Sequence, residues 1–151
     1  MAAAVALAVA AFGSVATAAP ATKARSATIK VAHSDLGKIL VDSRGRSLYM
    51  LSADSAKKST CFGACVQAWP PLRVTHKPTL GKGLKASKVG RIKRSDGNSQ
   101  VTYNGHPLYR FVNDKKPGDT NGQGITAFGG RWFVLSPAGT KVSRGLSRAG
   151  Y

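Results

Sequence analysis

Apolar and polar residues alternate over short stretches along most of the chain, which is the period of half-buried strands. Thr28-Ile29-Lys30-Val31-Ala32 is one such run, and Lys38-Ile39-Leu40-Val41-Asp42 is another. The turn-like Ser43-Arg44-Gly45 follows, and Ser47-Leu48-Tyr49-Met50-Leu51 returns, which predicts a hairpin. Further on, Val89-Gly90-Arg91-Ile92-Lys93-Arg94 meets Ser95-Asp96-Gly97-Asn98, and Ser99-Gln100-Val101-Thr102-Tyr103 follows. Asn104-Gly105 is the strongest short hairpin signal, because a type I′ turn needs positive φ at both positions. The returning strand covers residues 106–111. Pro107 fits it: a two-residue turn makes Tyr103 and His106 the hydrogen-bonded pair, so Thr102 and Pro107 face each other without needing a donor. One short helix is expected within residues 60–69, ended by Pro70-Pro71. The pattern predicts a mainly β domain with one short helix.

Two of these stretches repeat each other. Gly45-Arg46-Ser47-Leu48-Tyr49-Met50-Leu51-Ser52-Ala53-Asp54 and Gly105-His106-Pro107-Leu108-Tyr109-Arg110-Phe111-Val112-Asn113-Asp114 both read G-x-x-L-Y-x-[LF]-x-x-D. Trp69-Pro70-Pro71-Leu72 then matches Trp132-Phe133-Val134-Leu135 in position. The expected architecture is two related hairpin-based halves, residues 28–72 and 88–138, forming one small domain. Tyr49, Tyr109, Trp69 and Trp132 are candidates for the core, each phenol needing a polar partner. Asp54 and Asp114 close their strands, where a carboxylate can accept backbone N–H bonds in a turn. The alternative makes each Tyr/Asp pair a binding motif.

These motifs, with Cys61-Phe62-Gly63-Ala64-Cys65, Gly118-Asp119-Thr120-Asn121-Gly122-Gln123-Gly124 and Gly130-Arg131-Trp132, resemble a bacterial family of secreted repeat proteins. That family is also described as predicted lipoproteins with a Y-x-[FWY]-x-x-D motif. The resemblance covers about residues 28–138. It implies a secreted protein and no agreed activity. Leu51 replaces the aromatic residue of the first motif, and no cysteine stands near the N-terminal small residues, so a lipid anchor is not expected.

Residues 1–18 are uncharged and rich in Ala and Val, too short for a comfortable membrane span, and end in Ala16-Thr17-Ala18. They read as a signal peptide, although no basic stretch precedes the apolar run. Residues 19–27 read as a linker and 139–151 as a loose basic tail with Lys141, Arg144 and Arg148. No later segment is apolar enough to span a bilayer. The expected location is extracellular or cell-wall associated.

Cys61 and Cys65 are the only cysteines, and outside the cell their default is a local disulfide. The sharper alternative is a copper or redox site, in which two thiolates join a soft or imidazole ligand drawn from His33, His76, His106 and Met50. No two histidines have close ligand spacing. No cofactor is otherwise indicated.

Charge then narrows the function classes. Lys and Arg number 23 against six acids, all Asp, for a net charge of +17 in 151 residues. With no Glu, the H-E-x-x-H zinc-protease helix is excluded. There is no nucleophile elbow, phosphate loop or dinucleotide fingerprint, so no catalytic constellation stands out. The loop from Asp114 to Gly124 lacks the closing Glu and the alternating carboxylates of a calcium loop. The basic surface suits anionic envelope polymers or lipid head groups. No nucleic-acid reader motif is present, so specific nucleic-acid recognition is not expected.

Overall fold

The computed structural model describes residues 28–146. The expected signal peptide and linker, and residues 147–151 of the tail, lie outside the described residues. In chain order the strands are β1 (Thr28–Ser34), β2 (Gly37–Val41), β3 (Tyr49–Leu51), β4 (Thr79–Leu80), β5 (Val89–Lys93), β6 (Ser99–Tyr103), β7 (His106–Pro107), β8 (Thr126–Ala127) and β9 (Gly130–Val134). One α-helix, α1 (Ala64–Ala68), lies between β3 and β4. The fold is mainly β, with three small sheets ordered β2-β1-β4, β3-β9-β8 and β5-β6-β7.

The hairpin expected in the second half forms, whereas the one expected between residues 38–42 and 47–51 is kept only near its turn, by the Val41–Ser47 bridge and the Leu48 N–H to the Leu40 carbonyl, because β3 pairs with β9 instead. β1 and β2 pair antiparallel with Lys30 opposite Val41, and β5 and β6 pair with Val89 opposite Tyr103. The Asn104-Gly105 turn has φ of 50° and 80°, as a type I′ turn demands. It sets Tyr103 against His106 and Thr102 against Pro107.

The chain then does something that alternation alone does not reveal. After Trp69 it crosses to the second half, where Leu72 donates its N–H to the Leu108 carbonyl and accepts the Val101 N–H, each at 2.8 Å. After Trp132 it crosses the other way. Leu135 donates to the Leu48 carbonyl (3.2 Å) and accepts the Leu40 N–H (2.8 Å). Each half is therefore completed by backbone from the other.

This interlock covers the central strands on both faces. Residues of one parity, including Tyr49, Leu51, Trp132 and Val134, enter a cluster with Trp69, Tyr109 and both cysteines. Their neighbours of opposite parity, Leu48, Met50, Phe133 and Leu135, enter a second cluster with Leu72, Val101 and Leu108. The expected loose tail is not loose over residues 139–146. Lys141 bridges Leu135, Val142 donates its N–H to Val134 and is buried, and Gln123 binds the carbonyls of Val142 and Arg144. Val142 is an apolar residue with a place in the core, and it draws this basic stretch in.

Candidate functional site

The two motif tyrosines meet at the centre of the molecule. Tyr49 and Tyr109 exchange backbone hydrogen bonds, N–H to carbonyl, at 2.9 and 3.0 Å. Their side chains flank the two motif tryptophans. Trp69 and Trp132 stack with centroids 3.9 Å apart and planes 1° from parallel, and Phe111 stacks on Trp69 at 4.2 Å. Tyr49 meets Trp69 edge-on at 5.3 Å, and Tyr109 meets Trp132 edge-on at 5.1 Å. The two Tyr–Trp contacts are the T-shaped arrangement that aromatic quadrupoles favour.

The Tyr/Asp pairs are crossed. The Tyr49 hydroxyl donates to Asp114 Oδ2, and the Tyr109 hydroxyl donates to Asp54 Oδ2, each at 2.6 Å. The second carboxylate oxygen fastens the local excursion in both cases. Asp54 Oδ1 accepts the N–H and the hydroxyl of Thr60 at 2.8 and 2.9 Å. Asp114 Oδ1 accepts the Asn121 N–H at 2.9 Å. Burial and then the paired carboxylate push both phenols well above their ordinary pKa, so each keeps its proton as a donor. Burial also raises the Asp114 carboxyl, against the opposing pull of the Tyr49 hydroxyl and the Asn121 N–H.

The surroundings of the two pairs differ. The Tyr49 oxygen accepts the Gly122 N–H at 3.2 Å. The Tyr109 oxygen meets Ser59 Oγ at 2.6 Å, and Ser59 in turn accepts from the Cys61 N–H and from Arg94 Nη1. Tyr109 gives its one proton to Asp54, so Ser59 is the donor to Tyr109. Arg94 is 4% exposed and also reaches Gln100 Oε1 (2.7 Å) and the Cys61 carbonyl (2.5 Å). Sequence reasoning placed Arg94 in a basic run. Only its position one residue past β5, where the strand turns toward Gln100, marks it as different.

Cys61 and Cys65 form a disulfide at the mouth of α1, buried beside Trp69. Their sulfurs are bonded to each other and offer no thiolate to a metal. Among the described residues no group of three or more His, Cys or Asp side chains is placed to hold a metal ion. His33 is exposed on β1 opposite Lys38, and His76 is exposed in the loop before β4. Met50 and His106 both line a cavity of about 470 Å³, with Asn104 and Lys141. Burial lowers the His106 imidazole below its usual pKa.

The turn after β2 gathers a second group. Asp42 is 3% exposed. Its Oδ1 accepts the N–H groups of Arg44 and Arg46, and its Oδ2 receives Arg46 Nε at 2.9 Å and Nη2 at 2.7 Å. Arg110, from the other half, brings Nη1 to 3.9 Å of the same oxygen. Arg110 was visible in the sequence only as one cation among many.

Residues 30–73 and 90–136 each match the family described as a secreted repeat of unknown function. Together these stretches make up more than half of the chain, and the chain belongs to that family. No curated protein and no solved structure matches it. No helix of the described residues is long and apolar enough to cross a membrane.

Proposed function

We propose that this secreted-family protein is a non-enzymatic binder of anionic envelope material, docking through its basic surface on polymers or lipid head groups at the cell exterior. One observation carries the reading. Five of the six carboxylates are consumed within the fold: Asp42, Asp54, Asp96, Asp114 and Asp119 all accept internal hydrogen bonds. The cations are not matched in the same way. Arg91 and Lys93 lie exposed on the outer face of β5 while Ile92 between them is buried, and Lys82, Lys85, Lys115 and Lys116 are exposed in loops. The side chains of these exposed cations form no salt bridge with a carboxylate among the described residues, and the field of such a surface attracts polyanions over a Debye length. Cosedimentation with anionic and with zwitterionic vesicles, and with a purified anionic wall polymer, tests it. Binding to the anionic material that weakens steeply with salt supports the reading. Equal binding to neutral material, or none at low salt, discards it.

Copper binding is the second reading, favoured by the shared cavity of Met50 and His106, a thioether and an imidazole suited to Cu(I). Anaerobic Cu(I) titration of the oxidised protein tests it. Copper that is retained and then lost on Met50→Leu supports it; no retention discards it.

A further inference from the structure

Two guanidinium groups, of Arg46 and Arg110, face one carboxylate at the turn after β2, and Arg44 binds the same carboxylate through its backbone while its side chain acts on Arg110 by charge. Arg46 occupies Asp42 Oδ2 with two of its nitrogens, and the backbone of Arg44 and Arg46 occupies Oδ1. Little acceptor capacity is left for Arg110. Its Nη1 stands at 3.9 Å from Oδ2, and its Nε is buried with no hydrogen-bond partner. A buried donor left unpaired costs free energy, and the guanidinium as a whole keeps only the 3.9 Å contact with Asp42 to balance its charge. The local charge is also unbalanced, since Arg44, Arg46 and Arg110 bring three positive charges against the single negative charge of Asp42. Burial, then the field of Arg46, depresses the Arg110 guanidinium, and Asp42 opposes this only in part. Lys30 adds a further cation, its Nζ donating to the Ser43 carbonyl of the same turn at 3.1 Å. The site is held from below: Gly45 lies against Pro117, and Ser47 Oγ donates to the Asp119 carbonyl at 2.5 Å. The side chains of Arg46 and Arg110 remain 30% and 27% exposed, so the group is supported yet reachable.

We propose that Arg44, Arg46 and Arg110, steadied by Asp42, form a binding site for a phosphate group. Guanidinium forks match the tetrahedral, multi-oxygen geometry of phosphate, and a site with two surplus positive charges suits a dianion or a repeating phosphodiester. Asp42 plays the part of a positioning residue: it fixes Arg46 and the turn, and leaves Arg110 free for the ligand. The inference rests on the anionic-surface reading and narrows it to one chemistry and one place.

The phosphate group has two possible sources, free phosphate or a phosphodiester polymer. The experiment therefore titrates the full chain with inorganic phosphate and, separately, with a short poly(glycerol phosphate). The arginine Nε–H resonances and titration heat are followed in wild type, Arg110→Gln, Arg44→Gln and a double Lys57→Gln/Lys58→Gln control, two exposed lysines in the loop after β3. Arg44 is exposed, and its carboxylate contact uses backbone, so Arg44→Gln is expected to fold even if Arg110→Gln does not. The expected result is a shifted Arg110 Nε–H signal on phosphate addition and a loss of affinity of about tenfold in either site variant, with little change in the control. Tighter binding of the polymer than of inorganic phosphate would assign the polymer source. Wild-type polymer binding that falls no more in the site variants than in the control overturns this site and leaves the broader surface reading standing. Failure of wild type to bind either probe overturns both.

Discussion

Around Tyr49 the hydroxyl is closed off by loop backbone, the Gly122 N–H above and Asp114 beside it, with Asn121 fastening the carboxylate. Around Tyr109 the same motif position is closed by side chains, in a relay from Arg94 through Ser59 to the hydroxyl and on to Asp54. The flanks differ too. Met50 follows Tyr49 and lines an apolar-sided cavity with the Asn104-Gly105 turn, whereas Arg110 follows Tyr109 and reaches the Asp42 turn. Duplication therefore kept the skeleton, a crossed Tyr–Asp exchange around stacked tryptophans, and let the shell diverge. The lesson is that the shared motif residues build the interlock between the halves, and the residues that differ between copies set the two surroundings apart.

The largest effect is expected at the side-chain-closed pair. Arg94→Met removes the donors to Ser59, Gln100 and the Cys61 carbonyl and leaves buried acceptors unpaired, a loss of about 3 kcal/mol in chemical denaturation. An unchanged midpoint would mean that the relay contributes nothing. The backbone-closed pair breaks differently. A Cβ at Gly122 would stand 2.6 Å from Trp69 Cη2 and 2.9 Å from Tyr49 Cε1, and Gly122→Ala is expected to cost about 2 kcal/mol through overpacking. Near-UV circular dichroism should report the disturbed tryptophan stack, and a wild-type spectrum would contradict the packing described.

Smaller and more discriminating is the pair of phenol deletions. Tyr49→Phe strands both the Gly122 N–H and a buried Asp114, and should cost about 2 kcal/mol. Tyr109→Phe takes the acceptor from the Ser59 hydroxyl, which is free to rotate, and leaves Asp54 half-buried and still held by Thr60, so it should cost about 1 kcal/mol. The reverse order would mean that the side-chain relay outweighs the backbone seal.

Alkaline titration gives the mildest perturbation. Both folded phenols have pKa values raised above the ordinary value of about 10. The unfolded chain then releases protons that the folded one retains, so their contribution is fully present below pH about 10 and declines as pH rises above it. Phenolate absorbance of these two residues should appear together with unfolding and diminish stepwise in Tyr49→Phe and Tyr109→Phe. Their ionisation in a still-folded protein would contradict their burial.

Much of this architecture was legible in the sequence. Alternation located the strands and the β5–β6 hairpin but gave β3 the wrong partner, Asn104-Gly105 fixed its own turn and register, and the ten-residue match exposed the duplication. The C-x3-C spacing put two cysteines beside a short helix, where they bond. The crossing was not legible. Two copies of one motif have the same local pattern whether Tyr49 bonds Asp54 or Asp114, because periodicity reports exposure and not partner. Leu72 and Leu135 fell within their own halves by position, and nothing local marks that each pairs with the other half. Arg94 and Arg110 were hidden by composition: in a chain with 23 basic residues, a buried guanidinium carries no distinguishing sequence mark. Val142 was missed as a single apolar residue in a stretch that otherwise reads as basic and rich in Gly and Ser.

The central claim is that the two halves are locked by exchange, each tyrosine bonded to the other copy's aspartate. Double-mutant cycles test it most directly, combining Tyr→Phe with Asp→Ala and measuring unfolding free energies. The expected coupling is about 1 kcal/mol or more for Tyr49 with Asp114 and for Tyr109 with Asp54, and near zero for Tyr49 with Asp54 and Tyr109 with Asp114. Coupling found within each repeat, and absent between them, would contradict the account.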